Sequence, residues 1–348
     1  MDMLAFFPGK KPLIFLTDVE ISSVRWYYPD SHNMEEWENI MSKIVIALGG
    51  NALGNTPYEQ AELIKQTAKP IVDLIAAGNQ VVIAHGNGPQ VGMIHLGMST
   101  AAATGAIKSD MPFPECGAMS QGYIGYHLQN AIRNELATRG LHREIVTLVT
   151  QVLVSADDPA FHHPSKPIGT FYTEAEAKAI MAEKACTMVE DAGRGWRQVV
   201  PSPKPVDVIE KASIEALIEA GHVVITVGGG GIPVVRENGV LRGVPAVIDK
   251  DFASAKLAEL VGADELVILT AVDQVSLNWG KPTQRTVSHM TVDEAEQYCR
   301  EGHFSPGSML PKIQAAMSFA RAGGKAIIAS LAKASQALAG TSGTVVEL

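Results

Sequence analysis

Lys43-Ile-Val-Ile-Ala-Leu-Gly-Gly50 holds an unbroken apolar run, Ile44–Leu48, that stops at two glycines, and the same pattern returns along the chain. A run without polar alternation suits a strand covered on both faces, as in a parallel sheet between two helical layers. Residues 81–84 repeat it before Gly86-Asn87-Gly88, and residues 223–227 before the glycines at 228–231; 145–149, 266–270 and 326–329 supply three more strands. Between the first two strands, Thr56-Pro57-Tyr58-Glu59 has the residues of a helix start, with Gly78 at the far end. The intervening Leu63, Ile64, Ile71, Val72 and Ile75 recur at helical spacing, giving about five turns, with a kink expected at Pro70. Thr173 with Glu176, and Thr291 with Glu294, repeat the start signal. Strands alternating with helices predict an α/β fold, a three-layer αβα sandwich on a mainly parallel sheet.

Two stretches break the alternation. Residues 156–205 hold six prolines and the run Asp191-Ala-Gly-Arg-Gly-Trp-Arg197, which reads as a small protruding subdomain or lid inserted into the domain at 43–348. Residues 1–42 carry Trp26 and Trp37 among Tyr27, Tyr28, Pro29 and Asp30 with no period, and read as an appendage. Met41-Ser-Lys-Ile-Val-Ile opens straight into a buried strand, so the biological start is expected at Met41.

Composition removes several classes of function. The 348 residues are 46% hydrophobic and 19% charged, with a formal charge of −9, which disfavours nucleic-acid binding through a basic face. No apolar run reaches the roughly 18 residues of a membrane span, and residues 1–18 lack a basic start and a small-residue cleavage pattern. Three cysteines form neither a disulfide framework nor a C-x-x-C pair. A cytoplasmic protein without nucleic-acid or membrane partners is expected.

Three glycine turns after three parallel strands gather at one sheet edge, where backbone N–H groups and helix N-termini hold phosphates. The chain has neither a P-loop nor a G-x-G-x-x-G helix start; Gly86-Asn-Gly-Pro-Gln-Val-Gly92 comes nearest, but Pro89 and the spacing do not match. His85, His162 and His163 lack metal-ligand spacing and read as structural or exposed, and Cys116 as a small buried residue.

In order along the chain, Lys43 to Ala52, His85 to Gly92, Ala118-Met-Ser-Gln-Gly122, Lys166-Pro-Ile-Gly169, Glu190 to Arg197, Gly228 to Pro233, Val247-Ile-Asp-Lys-Asp251 and Pro306-Gly-Ser-Met-Leu-Pro-Lys312 resemble the motifs of carbamate kinases, within the amino-acid kinase superfamily. The resemblance runs from about residue 43 to the C-terminus. In the superfamily a lysine usually stands two residues before the first Gly-Gly; here that position is Ala47. Carbamate kinases are similar in lacking it and in using a lysine of a protruding subdomain, which matches Lys166.

The resemblance implies reversible phosphoryl transfer between ATP and carbamate, with Mg²⁺ and no direct protein ligand to it. It implies catalytic roles for Lys166, Lys250, Asp251 and Lys312, with Asp251 orienting the lysines. Carbamate and the transferring group would meet Gly49, Gly50, Asn51, Gly86, Asn87 and Gly88, and the nucleotide Gly228, Gly229, Gly230, Asp273, Lys281 and Met309. Arg194 and Arg197 could close over the anions or simply pack on an aromatic. A homodimer and an ATP-forming role in arginine catabolism are further family expectations. Another acylphosphate-forming kinase of the superfamily and a catalytically silent nucleotide sensor stay open as alternatives.

Overall fold

A computed structural model of the chain describes residues 42–50, 53–54, 56–183, 186–191 and 193–348. The appendage at 1–41, the start expected at Met41, and Asn51 lie outside the described residues.

An eight-stranded sheet forms the centre. Its strands run in the spatial order His289–Thr291, Thr344–Glu347, Lys325–Ser330, Glu265–Thr270, Lys43–Leu48, Gln80–His85, Val223–Ile225 and Ile145–Thr147. All six expected strands lie in it, and every pairing is parallel except that of Lys325–Ser330 with Thr344–Glu347. The apolar runs divide by alternation, because successive side chains leave a strand on opposite faces. Val45, Ala47, Val82, Ala84, Leu266 and Ile268 join one buried cluster with Ala253, Leu257, Ala316 and Phe319 from two helices. Ile44, Ile46, Leu48, Val81, Ile83 and Val267 join another with Ile64, Ile71, Ile124, Leu128 and Ile132. Burying each such branched side chain contributes about 2 kcal/mol, so both faces need helical cover. The result is the three-layer αβα arrangement.

The helix Pro57–Ala76 starts as its sequence requires: Thr56 Oγ1 accepts the Glu59 N–H at 3.2 Å, and Pro57 takes the first position, where its missing N–H costs nothing. Pro70 lies inside this helix rather than ending it. The reciprocal box forms at Thr291 and Glu294, heading the helix Val292–Arg300, and the same pair of contacts links Thr173 and Glu176 ahead of Glu174–Glu183.

Smaller sheets carry the rest. Val240–Gly243, Ile232–Glu237, Gln151–Val154 and Pro205–Val208 form a four-stranded sheet beside the main one. Lys166–Tyr172, Trp196–Val200 and Thr187–Glu190 form a three-stranded antiparallel sheet, with the helix Glu174–Glu183 in the same stretch. This sheet occupies residues where the sequence departs from alternation. No helix among the described residues is long and apolar enough to cross a membrane.

Candidate active site

Parallel strands end together, so the turns after Lys43–Leu48, Gln80–His85 and Val223–Ile225 share one edge of the main sheet. A cavity of about 900 Å³ opens there, between that edge and the three-stranded sheet. Its lining includes Gly50, Gly86, Asn87, Gly88 and Gly229 from the turns, together with Lys166, Lys250, Asp251 and Lys312. Three lysines from distant parts of the chain therefore face one space. Counting Arg194 and Arg197, five cationic side chains meet two carboxylates, Asp249 and Asp251, in a chain whose formal charge is −9. The local excess of positive charge fits anionic ligands against the overall field.

Ion pairs set the lysines in place. Lys250 and Asp251 open the helix Lys250–Leu260, and Lys312 lies in the first turn of Met309–Arg321. Lys250 Nζ donates to Asp251 Oδ1, and Lys312 Nζ to Asp251 Oδ2 at 3.0 Å, so one carboxylate holds two ammonium groups. Burial would push the Asp251 carboxyl up, but the two ammonium groups outweigh it and hold it well below the usual carboxylate range. Burial, with Lys312 adding to it, lowers Lys250, and Asp251 opposes the shift. Lys166 Nζ donates to Asp249, whose other oxygen accepts the Asp251 N–H at 2.9 Å as the helix cap. Asp249 escaped the sequence reading, although it stands inside a quoted motif and a residue before a helix is where an Asp cap belongs. Ala47, where the superfamily has lysine, is wholly buried in the core, so no ammonium comes from the first strand.

The glycine turns are packed closely against one another. A Cβ at Gly229, whose φ is +68°, would fall 2.1 Å from Asn87 Nδ2, so only glycine lets the two loops meet. Gly228 and Gly230 support the turn without lining the cavity: a Cβ there would meet the His85 ring and the Ile248 carbonyl. Gly49 likewise lies against the Leu269 carbonyl of the neighbouring strand. Ser120 and Gln121 are second positions whose role the sequence left unread. Asn87 Nδ2 donates to Ser120 Oγ at 2.8 Å, and Gln121 Nε2 donates to the Thr150 and Gly228 carbonyls at 3.1 and 3.0 Å. A helix on one face of the sheet thus fixes both turns.

His85 ends the second strand, buried, with Nδ1 2.8 Å from the Gly86 carbonyl. Burial lowers its pKa from 6.5 to about 4, with Lys250 adding to the shift and the Gly86 carbonyl opposing it. Between those values the unfolded chain binds a proton that the native one refuses, so stability falls as pH falls. Urea unfolding is expected to show the wild type losing about 2 kcal/mol more than His85→Asn between pH 7 and pH 5. Equal losses would place the imidazole in a more solvated setting. Cys116 is buried, and burial raises its thiol to about 11, away from reactivity.

The three-stranded sheet supplies the opposite wall. The Arg194 and Arg197 guanidiniums both lie 5.0 Å from the centre of the Phe171 ring and pair with Asp191 at 3.0 and 3.1 Å. Packing on an aromatic and lining the cavity are thus combined in the same two arginines. A Cβ at Gly92 would sit 2.6 Å from Gly169 Cα, so this wall presses directly on the helix Gly88–Ala103.

The residues expected on the nucleoside side are not all gathered. Met309 lines a separate recess of about 210 Å³ with Thr270, Ala271 and Trp279; it meets the larger cavity at Ser308. Asp273 lies outside both linings, accepting a hydrogen bond from Ser330 Oγ, and Lys281 is exposed in a turn closed by its N–H to the Asn278 carbonyl at 3.0 Å.

The model of the Amino acid kinase family matches residues 42–330. The chain belongs to that family. Among curated members it is 56% identical over 306 residues to the carbamate kinase-like protein YqeA of Escherichia coli K12, covering 87% of this chain and 98% of that one. It is 54% identical over 309 residues to a carbamate kinase of Staphylococcus haemolyticus, covering 88% of this chain and 100% of that one. Among solved amino acid kinases, the carbamate kinase of Giardia lamblia bound to AMP-PNP superposes with a TM-score of 0.81 at 44% identity, covering 88% of this chain and 98% of that one. Within the amino acid kinase family the chain therefore stands with the carbamate kinases.

Proposed function

We propose that this protein is a carbamate kinase, transferring a phosphoryl group between ATP and carbamate to give ADP and carbamoyl phosphate. The observation that carries the reading is the convergence of Lys166, Lys250 and Lys312 on one glycine-edged cavity in a chain of carbamate kinase likeness. Carbamate is already an anion, so its oxygen attacks phosphorus without a general base. What the reaction needs is alignment, and positive charge around the phosphoryl oxygens as the old bond loosens. Lys166, Lys250 and Lys312 supply that charge, and Asp251 holds two of them at fixed positions. Gly50, with Gly86, Asn87 and Gly88, offers N–H donors to the acceptor and the transferring group, and Gly49 shapes the same turn. Gly228, Gly229 and Gly230 border the nucleotide phosphates, and Met309, Asp273 and Lys281 belong to the nucleoside side.

Mg²⁺ would neutralise phosphate charge in this reaction. Among the described residues no group of three or more His, Cys, Asp or Glu is arranged to hold a metal ion, and both cavity carboxylates already face lysines, so the fitting arrangement is an ion carried on nucleotide phosphates and water. The three-stranded sheet and its arginines act as a lid over the anions. A cytoplasmic homodimer, working toward ATP in arginine catabolism, completes the proposal.

Coupled ATP production from carbamoyl phosphate and Mg-ADP tests the reading. Turnover within the usual range of about 1–10³ s⁻¹ is expected. No ATP, or ADP release from ATP with acetylglutamate, aspartate or UMP but not with carbamate, would overturn it.

A further inference from the structure

Asp249 is out of keeping with the site it lines. The cavity gathers cations for anionic ligands, yet this carboxylate faces into it. Its task as a helix cap does not explain the charge: accepting the Asp251 N–H needs only a side-chain oxygen, and Asn or Ser caps as well as Asp. The charge has a separate use. The second oxygen takes the ammonium of Lys166, the first residue of the strand Lys166–Tyr172 in the three-stranded sheet, 83 positions away in sequence. The two side chains are 14% and 32% exposed, so the pair is sheltered at the cavity wall rather than dissolved in solvent. Without Asp249, Lys166 would face Lys250 and Lys312 across a cavity whose remaining lining carboxylate, Asp251, those two lysines already share, while Asp191 is taken up by Arg194 and Arg197.

We propose that Asp249 is a positioning residue whose charge tethers Lys166, and through it the three-stranded sheet, over the cavity until a phosphoryl group replaces it as the partner of Lys166. This rests on the reading of Lys166 as a phosphoryl-contacting lysine. The tether spares Lys166 a search through the many rotamers of a long side chain at each turnover. It also offsets the repulsion that would drive this wall away from the other cations. When the anionic substrate arrives, the ammonium moves between two negative partners rather than out of water.

A double-mutant cycle over Asp249→Asn and Lys166→Ala, read as kcat/KM for ATP formation from carbamoyl phosphate and Mg-ADP, tests it. Asp249→Asn keeps the cap, so its Tm should stay near that of the wild type while kcat/KM falls about tenfold, the scale of one charge-assisted hydrogen bond. In the Lys166→Ala background the same change should alter kcat/KM by less than about twofold, because its means of action is gone. Asp249→Ser, another uncharged cap, should behave like Asp249→Asn. An equal loss in both backgrounds, or wild-type kcat/KM in Asp249→Asn, would overturn the tether. A wild type that forms no ATP would instead refute the carbamate kinase reading. Trypsin then decides the tether alone: cleavage within residues 166–200 should be about tenfold faster in Asp249→Asn, in proportion to the open population, and equal rates would sink it.

Discussion

Replacing Lys312 or Lys250 by alanine is expected to lower turnover about 10²–10³-fold, the scale of losing one preorganised charge-stabilising donor. Both ammonium groups are largely withdrawn from solvent, their side chains 15% and 12% exposed, so each acts on the phosphoryl oxygens through a medium far less screening than water. They are also already oriented, since Asp251 holds both before any substrate is present. Little reorganisation remains to be done at the moment of transfer, which is the source of the large effect. Neither change strands a buried carboxylate, because Asp251 keeps one lysine in each variant, and the circular dichroism of both should match the wild type. The loss should fall mainly on kcat, as the charge being stabilised grows in the transition state. Near-normal ATP formation in both variants would remove the lysines from the mechanism.

Legibility in the sequence followed the range of the interaction. The strands announced themselves because each needs only its own apolar run, and the two helical faces follow from alternation within those runs. Even so, their ends were less legible: residues 145–149 were expected as a strand that stops at Thr147, with one last ladder bond from the Leu148 N–H to the Ile225 carbonyl. Pro70, where a kink was expected, stands inside the helix Pro57–Ala76. The convergence of Lys166, Lys250 and Lys312 had no local signal at all, and came from resemblance to a family. Asp249 shows the limit most clearly. Its cap follows from the neighbouring residue, but its grip on Lys166 depends on how a distant sheet comes to rest. The close approach of Gly92 to Gly169 is equally invisible in either stretch alone. Asp273 and Lys281 were assigned by motif position, and both are exposed, Asp273 just before and Lys281 within the loop of the antiparallel pair Val275–Leu277 and Arg285–Val287.

Asp251→Asn should do more damage than either lysine change, because it removes the one charge that reconciles two ammonium groups. Asparagine keeps the shape and can still accept hydrogen bonds. It leaves Lys250 and Lys312 facing each other without the carboxylate that pairs them both, at a site where that carboxylate is 4% exposed. Removing one member of a buried ionic cluster costs about 3–5 kcal/mol, and partial exposure of the lysines favours the lower figure. Urea unfolding at neutral pH should report about 3 kcal/mol lost, and ATP formation should fall below that of both lysine variants, since each ammonium loses its position. An acid titration separates this loss from that of His85. The folded-state pKa of Asp251 is depressed, so its contribution is present above the unfolded value of 3.8 and is lost as pH falls below it, whereas the His85 contribution is already fading from 6.5 downward. The decisive variant replaces all three groups together, Lys250→Met, Asp251→Leu and Lys312→Met. Apolar side chains of similar volume do not carry the desolvation cost of ions, so stability should return to near the wild-type level while ATP formation stays abolished. Stability that failed to return would mean that the cluster holds the two helices together; stability that returned without activity would leave phosphoryl transfer as the reason the charges are there.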